Sequence, residues 1–144
     1  MKIAIGSDHG GFDLKQIIIE HLKKRKIDVM DVGCYDKQSC DYPVYGHEAA
    51  KAVASGECDL GIVICTTGIG ISIAANKVKG VRAALCTNGL MAKMSRQHNN
   101  ANVLALGANI TGPGLAVDIT DTFIDTDFSN GERHVRRIGE MEDV

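Results

Sequence analysis

Residues 61–72 read GIVICTTGIGIS. An apolar run ends at Cys65 with a thiol, passes two threonine hydroxyls and enters a glycine-rich turn. A purely apolar strand of this length belongs at the centre of a parallel sheet covered on both faces. Beyond it the chain turns into a helix, because Gly68 and Gly70 let the backbone bend tightly where helical N–H groups begin. The stretch therefore reads as strand, turn and helix, the unit from which an α/β fold is built.

The same unit recurs on both sides. KIAIG at 2–6 is a short strand ending in glycine, and FDLKQIIIEHLKKR at 12–25 places apolar residues 14, 17, 18 and 22 at helical spacing. IDVMDVG at 27–33 alternates like a strand, and a loop closed by Pro43 leads to an alanine-rich helix at 45–56. After the central unit come a helix at 69–77, strands at 81–86 and 102–107, and helices at 89–98 and 112–124. A charged helix is predicted at 131–142. Five alternations with short links imply right-handed crossovers, hence a doubly wound α/β fold: a five-stranded parallel sheet with helices on both faces and a C-terminal helix. The 144 residues suit one domain, 1–144, and show no linker or low-complexity segment.

Composition narrows the partners. The formal net charge of −2 provides no field for nucleic acid or an anionic membrane surface. No apolar run approaches the ~20 residues that span a bilayer. The N-terminus enters a strand at once, without the basic start of a secretory signal. Five cysteines, an odd number without paired CxxC spacing, favour reduced thiols and a cytoplasmic setting. Cys34, Cys40 and His47 could be imagined around zinc, but metal spacings are usually tighter and paired, and no metal is expected.

In an open α/β sheet, ligands bind beyond the carboxyl ends of the strands where strand order reverses. Cys65 and Thr67 lie at such an end, and so do Ser7, Asp8 and His9 after the first strand. The helix start just after Cys65 offers outward N–H groups to an anion and favours thiolates. The stretch is neither GxxxxGK[ST] nor GxGxxG, so a nucleotide site is weakly supported. The plain alternatives are a small buried cysteine at position 65 and a helix cap at Ser7 or Asp8. Cys86, without an adjacent glycine turn, reads as structural. His98 and Asn99 close a helix just before the last strand, at the end of the sheet away from Cys65. To reach a pocket at the carboxyl ends, His98 would have to come from another subunit. Arg133 and Arg137, four apart, share one helix face suited to a phosphate or carboxylate, and a solvated surface is the alternative.

The segments GSDHGG, DYP, ICTTGIGISIAANK, RAALC, MSRQHNNANVLALG and RHVRR, in this order and over nearly the whole chain, resemble the family of type B ribose-5-phosphate and galactose-6-phosphate isomerases. The resemblance implies aldose–ketose isomerisation of a sugar phosphate, ribose 5-phosphate foremost, without metal or organic cofactor. It also implies a three-layer αβα Rossmann-like sandwich, and homodimers or tetramers whose pocket lies between two subunits. Matched residue by residue, Cys65 is the base that moves a proton between C1 and C2, and His98 the acid that opens the furanose ring. Thr67 lies near the reacting oxygens. Asp8, His9 and Tyr42 line the sugar site, and Thr66, Thr67, Gly68, Ile69 and Gly70 form an anion hole. Asn99 hydrogen-bonds the substrate, and Arg133 and Arg137 hold the phosphate. Two positions depart from the family pattern. Thr66 stands where a glycine is usual, so its backbone must adopt ordinary dihedrals. Asn109 stands where the family carries a further phosphate-binding arginine, a loss worth about 1.5–3 kcal/mol that Arg136 could offset. These departures leave a six-carbon sugar phosphate open as substrate. An inactive phosphosugar-binding module and a flavodoxin-like nucleotide binder are the rivals from other classes.

Overall fold

The computed structural model describes residues 1–144. Five strands, β1 (Lys2–Ser7), β2 (Asp28–Gly33), β3 (Leu60–Cys65), β4 (Ala83–Leu85) and β5 (Val103–Gly107), form one parallel sheet in the order β2-β1-β3-β5-β4. The crossover helices are α1 (Phe12–Lys24), α2 (Tyr42–Ala54), α3 (Ile69–Asn76) and α4 (Gly89–Asn99), followed by α5 (Pro113–Asp125) and α6 (Glu132–Glu142). The expected five-stranded αβα architecture is the one observed. The chain winds outward from β1 to β2 and then in the other direction from β3, so strand order reverses between β1 and β3. Their register sets Ser7 beside Ile64, one residue before Cys65.

Side-chain alternation along the strands divides the core into two layers. Ile3, Ile5, Ile62, Ile64, Leu104 and Leu106 face α1 and α5, where Leu14, Ile18, Leu22, Ile119 and Phe123 are buried. Ala4, Val63, Cys65, Val103 and Ala105 face the other way, against Ala49, Ala50, Val53, Ile71 and Ala75 of α2 and α3. Small residues on that second face let α2 and α3 approach closely. A Cβ added at Gly46 would stand 3.0 Å from Ile71 Cγ1.

Three local expectations are revised. On α1 the buried positions include Leu14, Lys15, Ile18, Ile19 and Leu22, while Ile17 is exposed. The apolar spacing identified the helix but turned its inner face by one position, because an ion pair makes room for Lys15. The second helix begins at Tyr42, with Pro43 in its first turn, where proline is tolerated because its missing N–H is not needed there. Strand β4 spans only three residues, and its outer edge is closed by a side chain. Asn76 donates from Nδ2 to the Ala83 carbonyl (3.0 Å) and accepts the Ala83 N–H at Oδ1 (2.8 Å).

Helix α6 buries only His134. It is held to the body by the stacking of His134 on His98 of α4, with ring centroids 4.2 Å apart and planes 11° from parallel. Arg82 adds a second tie: Nη1 reaches Glu142 Oε1 at 2.8 Å, while Nε and Nη2 each donate at 2.9 Å to the carbonyls of Asn99 and Asn100. No helix is long and apolar enough to cross a membrane.

Candidate active site

The carboxyl ends of β1 and β3 open into a cleft of about 400 Å³. Asp8 enters it from β1 and Tyr42 from the start of α2; Cys65, Thr66, Thr67, Ile69 and Gly70 come from the β3–α3 turn. Seven of the residues singled out from sequence thus share one cavity at the strand-order reversal.

The turn is built around two glycines with different tasks. Gly68 has φ +78°, a left-handed conformation that a side chain resists, and it caps α3. Its N–H donates to Cys65 Sγ at 3.1 Å. Gly70 lies inside the first turn of α3 and serves close approach. A Cβ there would stand 2.6–2.8 Å from ring and hydroxyl atoms of Tyr42. Thr66 avoids positive φ, as its β-branched side chain requires.

A helix start leaves four N–H groups without intrahelical partners. Here the Gly68 N–H goes to Cys65 Sγ, and that of Ile69 donates to Thr67 Oγ1 at 3.3 Å. The Gly70 N–H has no acceptor within the chain. The amides of 66–70 therefore differ in their partners. One is turned to the sulfur, one is occupied by a hydroxyl, and Gly70 keeps a free donor at the cleft. Cys65 itself is 5% exposed, so its sulfur lies at the floor of the cleft.

His9 opens a short 3₁₀ turn (His9–Gly11) beside the cleft, capped by Asp8, whose Oδ1 accepts the Gly11 N–H at 3.0 Å. Asn109 is only partly where the sequence suggested. Its N–H donates to the Thr66 carbonyl at 2.9 Å, stitching the loop after β5 to the β3–α3 turn. Yet it lines a separate cleft of about 230 Å³ with Gly10, Asp13 and Thr111.

His98, Asn99, Arg133 and Arg137 form a second group. His98 closes α4 just before β5, whose first residue pairs with Gly61 at the amino end of β3, whereas Cys65 pairs with Gly107 at the other end. Four residues of strand, roughly 13 Å, separate the two levels. A single chain does not bring His98 into the Cys65 cleft. It does gather His98, His134, Arg133 and Arg137 at one place, with both arginines exposed. Burial first, and then the positive charge of His98, Arg133 and Arg137, hold His134 below its ordinary value of 6.5.

Sequence reasoning assigned no lasting role to four residues that the structure brings forward. Lys15 is fully buried, and its Nζ donates to Asp31 Oδ1 (2.5 Å) and to the Cys34 carbonyl (2.6 Å). Its place on the face of Leu14, Ile18 and Leu22 was the available signal. Cys40 touches His9, and His134 and Arg82 organise the His98 region; only tertiary contact reveals these three. The cysteines imagined around zinc take other positions. Cys34 is buried near Ser7, its thiol raised by burial foremost, and Cys40 leans on His9. Burial pushes Cys86 up to about 11, which leaves it inert near neutrality.

Comparison with known proteins agrees with this geometry. The sequence family described as Ribose/Galactose Isomerase matches residues 3–141. Ribose-5-phosphate isomerase B of Escherichia coli is 48% identical over 137 residues, covering 95% of this chain and 91% of its own. The galactose-6-phosphate isomerase subunit LacB of Clostridium acetobutylicum is 48% identical over 128 residues, covering 89% and 74%. The solved structure of Clostridium thermocellum ribose-5-phosphate isomerase B superimposes with a TM-score of 0.98 at 57% identity, covering 99% of this chain and 96% of that one. With the thiol cleft at the strand-order reversal and a match along almost its whole length, the chain belongs to the ribose/galactose isomerase family of sugar-phosphate aldose–ketose isomerases.

Proposed function

We propose that the protein interconverts ribose 5-phosphate and ribulose 5-phosphate, with Cys65 as the proton-transfer base and no cofactor. The observation that carries this reading is the Cys65 sulfur at the cleft floor, hydrogen-bonded at 3.1 Å to the Gly68 N–H and flanked by Asp8, Thr67 and Tyr42. Relatives similar to it in sequence and in fold bear the name ribose-5-phosphate isomerase B.

The furanose ring opens first. His98 of a second copy protonates the ring oxygen, while Asp8 or Thr67 takes the proton of the anomeric hydroxyl. In the open aldose, the Cys65 thiolate removes the C2 proton. The electron pair forms the C1–C2 double bond, and the carbonyl π pair moves onto O1, giving an enediolate. The free Gly70 N–H and the Thr67 hydroxyl stabilise the developing oxyanion, and each preorganised donor is worth about 10²–10³ in rate. Proton exchange between O2 and O1 and return of the thiol proton to C1 complete the ketose. Arg133 and Arg137, with Asn99, come with His98 from the second copy and hold the phosphate, so that remote binding fixes the reacting geometry.

A six-carbon sugar phosphate is the second reading, favoured by the equal identity to the LacB subunit and by Asn109 turning away from the cleft. Assays of ribose 5-phosphate beside allose and galactose 6-phosphates separate the two. With the preferred sugar, Cys65→Ala is expected to lower kcat by about 10²–10⁴, the span of general-base catalysis, and to abolish solvent-deuterium exchange at C2. Retained exchange would remove Cys65 as the base.

A further inference from the structure

Two donors converge on one ring nitrogen beside the cleft. The Cys40 backbone N–H donates to His9 Nδ1 at 3.2 Å, and Cys40 Sγ stands 3.9 Å from the same atom. A backbone N–H can only donate, so Nδ1 must offer its lone pair. A neutral imidazole that accepts at Nδ1 carries its proton on Nε2. Nε2 has no partner within the chain, and His9 is exposed.

The loop that presents Cys40 is anchored at its start. Buried Lys15 grips the Cys34 carbonyl, and Asp31 Oδ1 accepts both Lys15 Nζ and the Gly33 N–H (2.9 Å). The Cys34 N–H donates to the Ser7 carbonyl at 2.7 Å, directly before Asp8 and His9 in the chain. At its far end the loop runs into α2, whose backbone begins at Tyr42. The Cys40 N–H is therefore carried by backbone fixed at both ends.

We propose that residues 34–41 lock His9 as its Nε2–H tautomer, so that it meets the substrate as a neutral hydrogen-bond donor to a sugar-phosphate oxygen and takes no proton in the reaction. Cys40 is the positioning residue and acts through its main chain. The ligand's identity rests on the isomerase reading above, while the tautomer is a property of the free chain.

Long-range ¹H–¹⁵N spectra of imidazole-labelled protein, recorded at about pH 8 where free imidazole is neutral, read the tautomer directly. The expected pattern for His9, identified by its loss in His9→Gln, is an unprotonated Nδ1 and a protonated Nε2 in a single tautomer. A protonated Nδ1, or an average of the two forms, overturns the proposal. The kinetic arm uses amide isosteres, since the glutamine nitrogen overlays Nε2 and the asparagine nitrogen overlays Nδ1. His9→Gln should keep KM for ribose 5-phosphate within about threefold, and His9→Asn should raise it about tenfold, the worth of one hydrogen bond. Equal losses in both variants overturn the donor role. Wild-type protein without turnover of any sugar phosphate would defeat the isomerase reading, yet the spectra would still decide the tautomer.

Discussion

At the scale of single residues, the two glycines of the β3–α3 turn separate folding from binding. Gly68 combines φ +78° with backbone atoms of Leu106 and Gly107 at 2.8 and 2.9 Å from any added Cβ. Gly68→Ala is expected to cost about 2 kcal/mol or more, from left-handed strain and overpacking, visible as a lower urea midpoint. Gly70→Ala meets the Tyr42 ring first, and that ring can swing, so stability should hold while KM rises. His134 supplies a prediction in pH. Its folded value lies below 6.5 because burial and neighbouring positive charge disfavour the imidazolium. The unfolded chain therefore binds more protons between the two values. The stability contributed by neutral His134 is complete above about pH 6.5 and is lost as pH falls through the folded value. On acidification from pH 7.5 to about 5, wild-type Tm should fall further than that of His134→Asn. Parallel curves would mean that His134 titrates normally. None of this was visible in the string RHVRR, because the stack with His98 joins residues 36 positions apart in the chain, and no local periodicity encodes it.

At the scale of elements, the strands were the most legible parts. Strand β3 is all apolar because both its faces are covered, and Cys65 ends it where the sheet ends. Helix α1 was legible as a helix and misread as a face. Apolar spacing puts Lys15 near the buried face but does not supply what makes its burial tolerable, namely the carboxylate of Asp31, a loop carbonyl and the rings of Phe12 and Tyr35, 5.6 and 5.5 Å from Nζ. Asp31→Ala leaves the Lys15 ammonium fully buried with one carbonyl partner. The expected loss is about 3 kcal/mol, the low end for a broken buried pair because Asp31 is partly exposed. Chemical denaturation measures it, and a change below about 0.5 kcal/mol would show the ammonium to be satisfied without Asp31. The start of α2 was missed for a related reason. Pro43 reads as a loop terminator, but within the first helical turn it is compatible with the helix, and this places Tyr42 over Gly70.

At the scale of the whole molecule, the expected site residues fall into two groups at opposite ends of one sheet. The first was legible because strand ends and strand-order reversal derive from the order of elements. The second was legible as a group, but its relation to Cys65 needs a second chain. If a pocket joins Cys65 of one copy to His98 of another, co-expressed Cys65→Ala and His98→Asn chains form mixed dimers with one intact site. Activity should then recover to about a quarter of wild type, the share of intact sites when chains pair at random in a closed twofold dimer. Recovery absent in verified mixed dimers would remove His98 from the Cys65 site. The outer rim of the sheet has its own consequence. Because the Asn76 carboxamide mimics a neighbouring peptide at Ala83, β4 presents no open main-chain ladder there for a stranger to extend. An outside strand would have to displace that carboxamide before it could pair with Ala83.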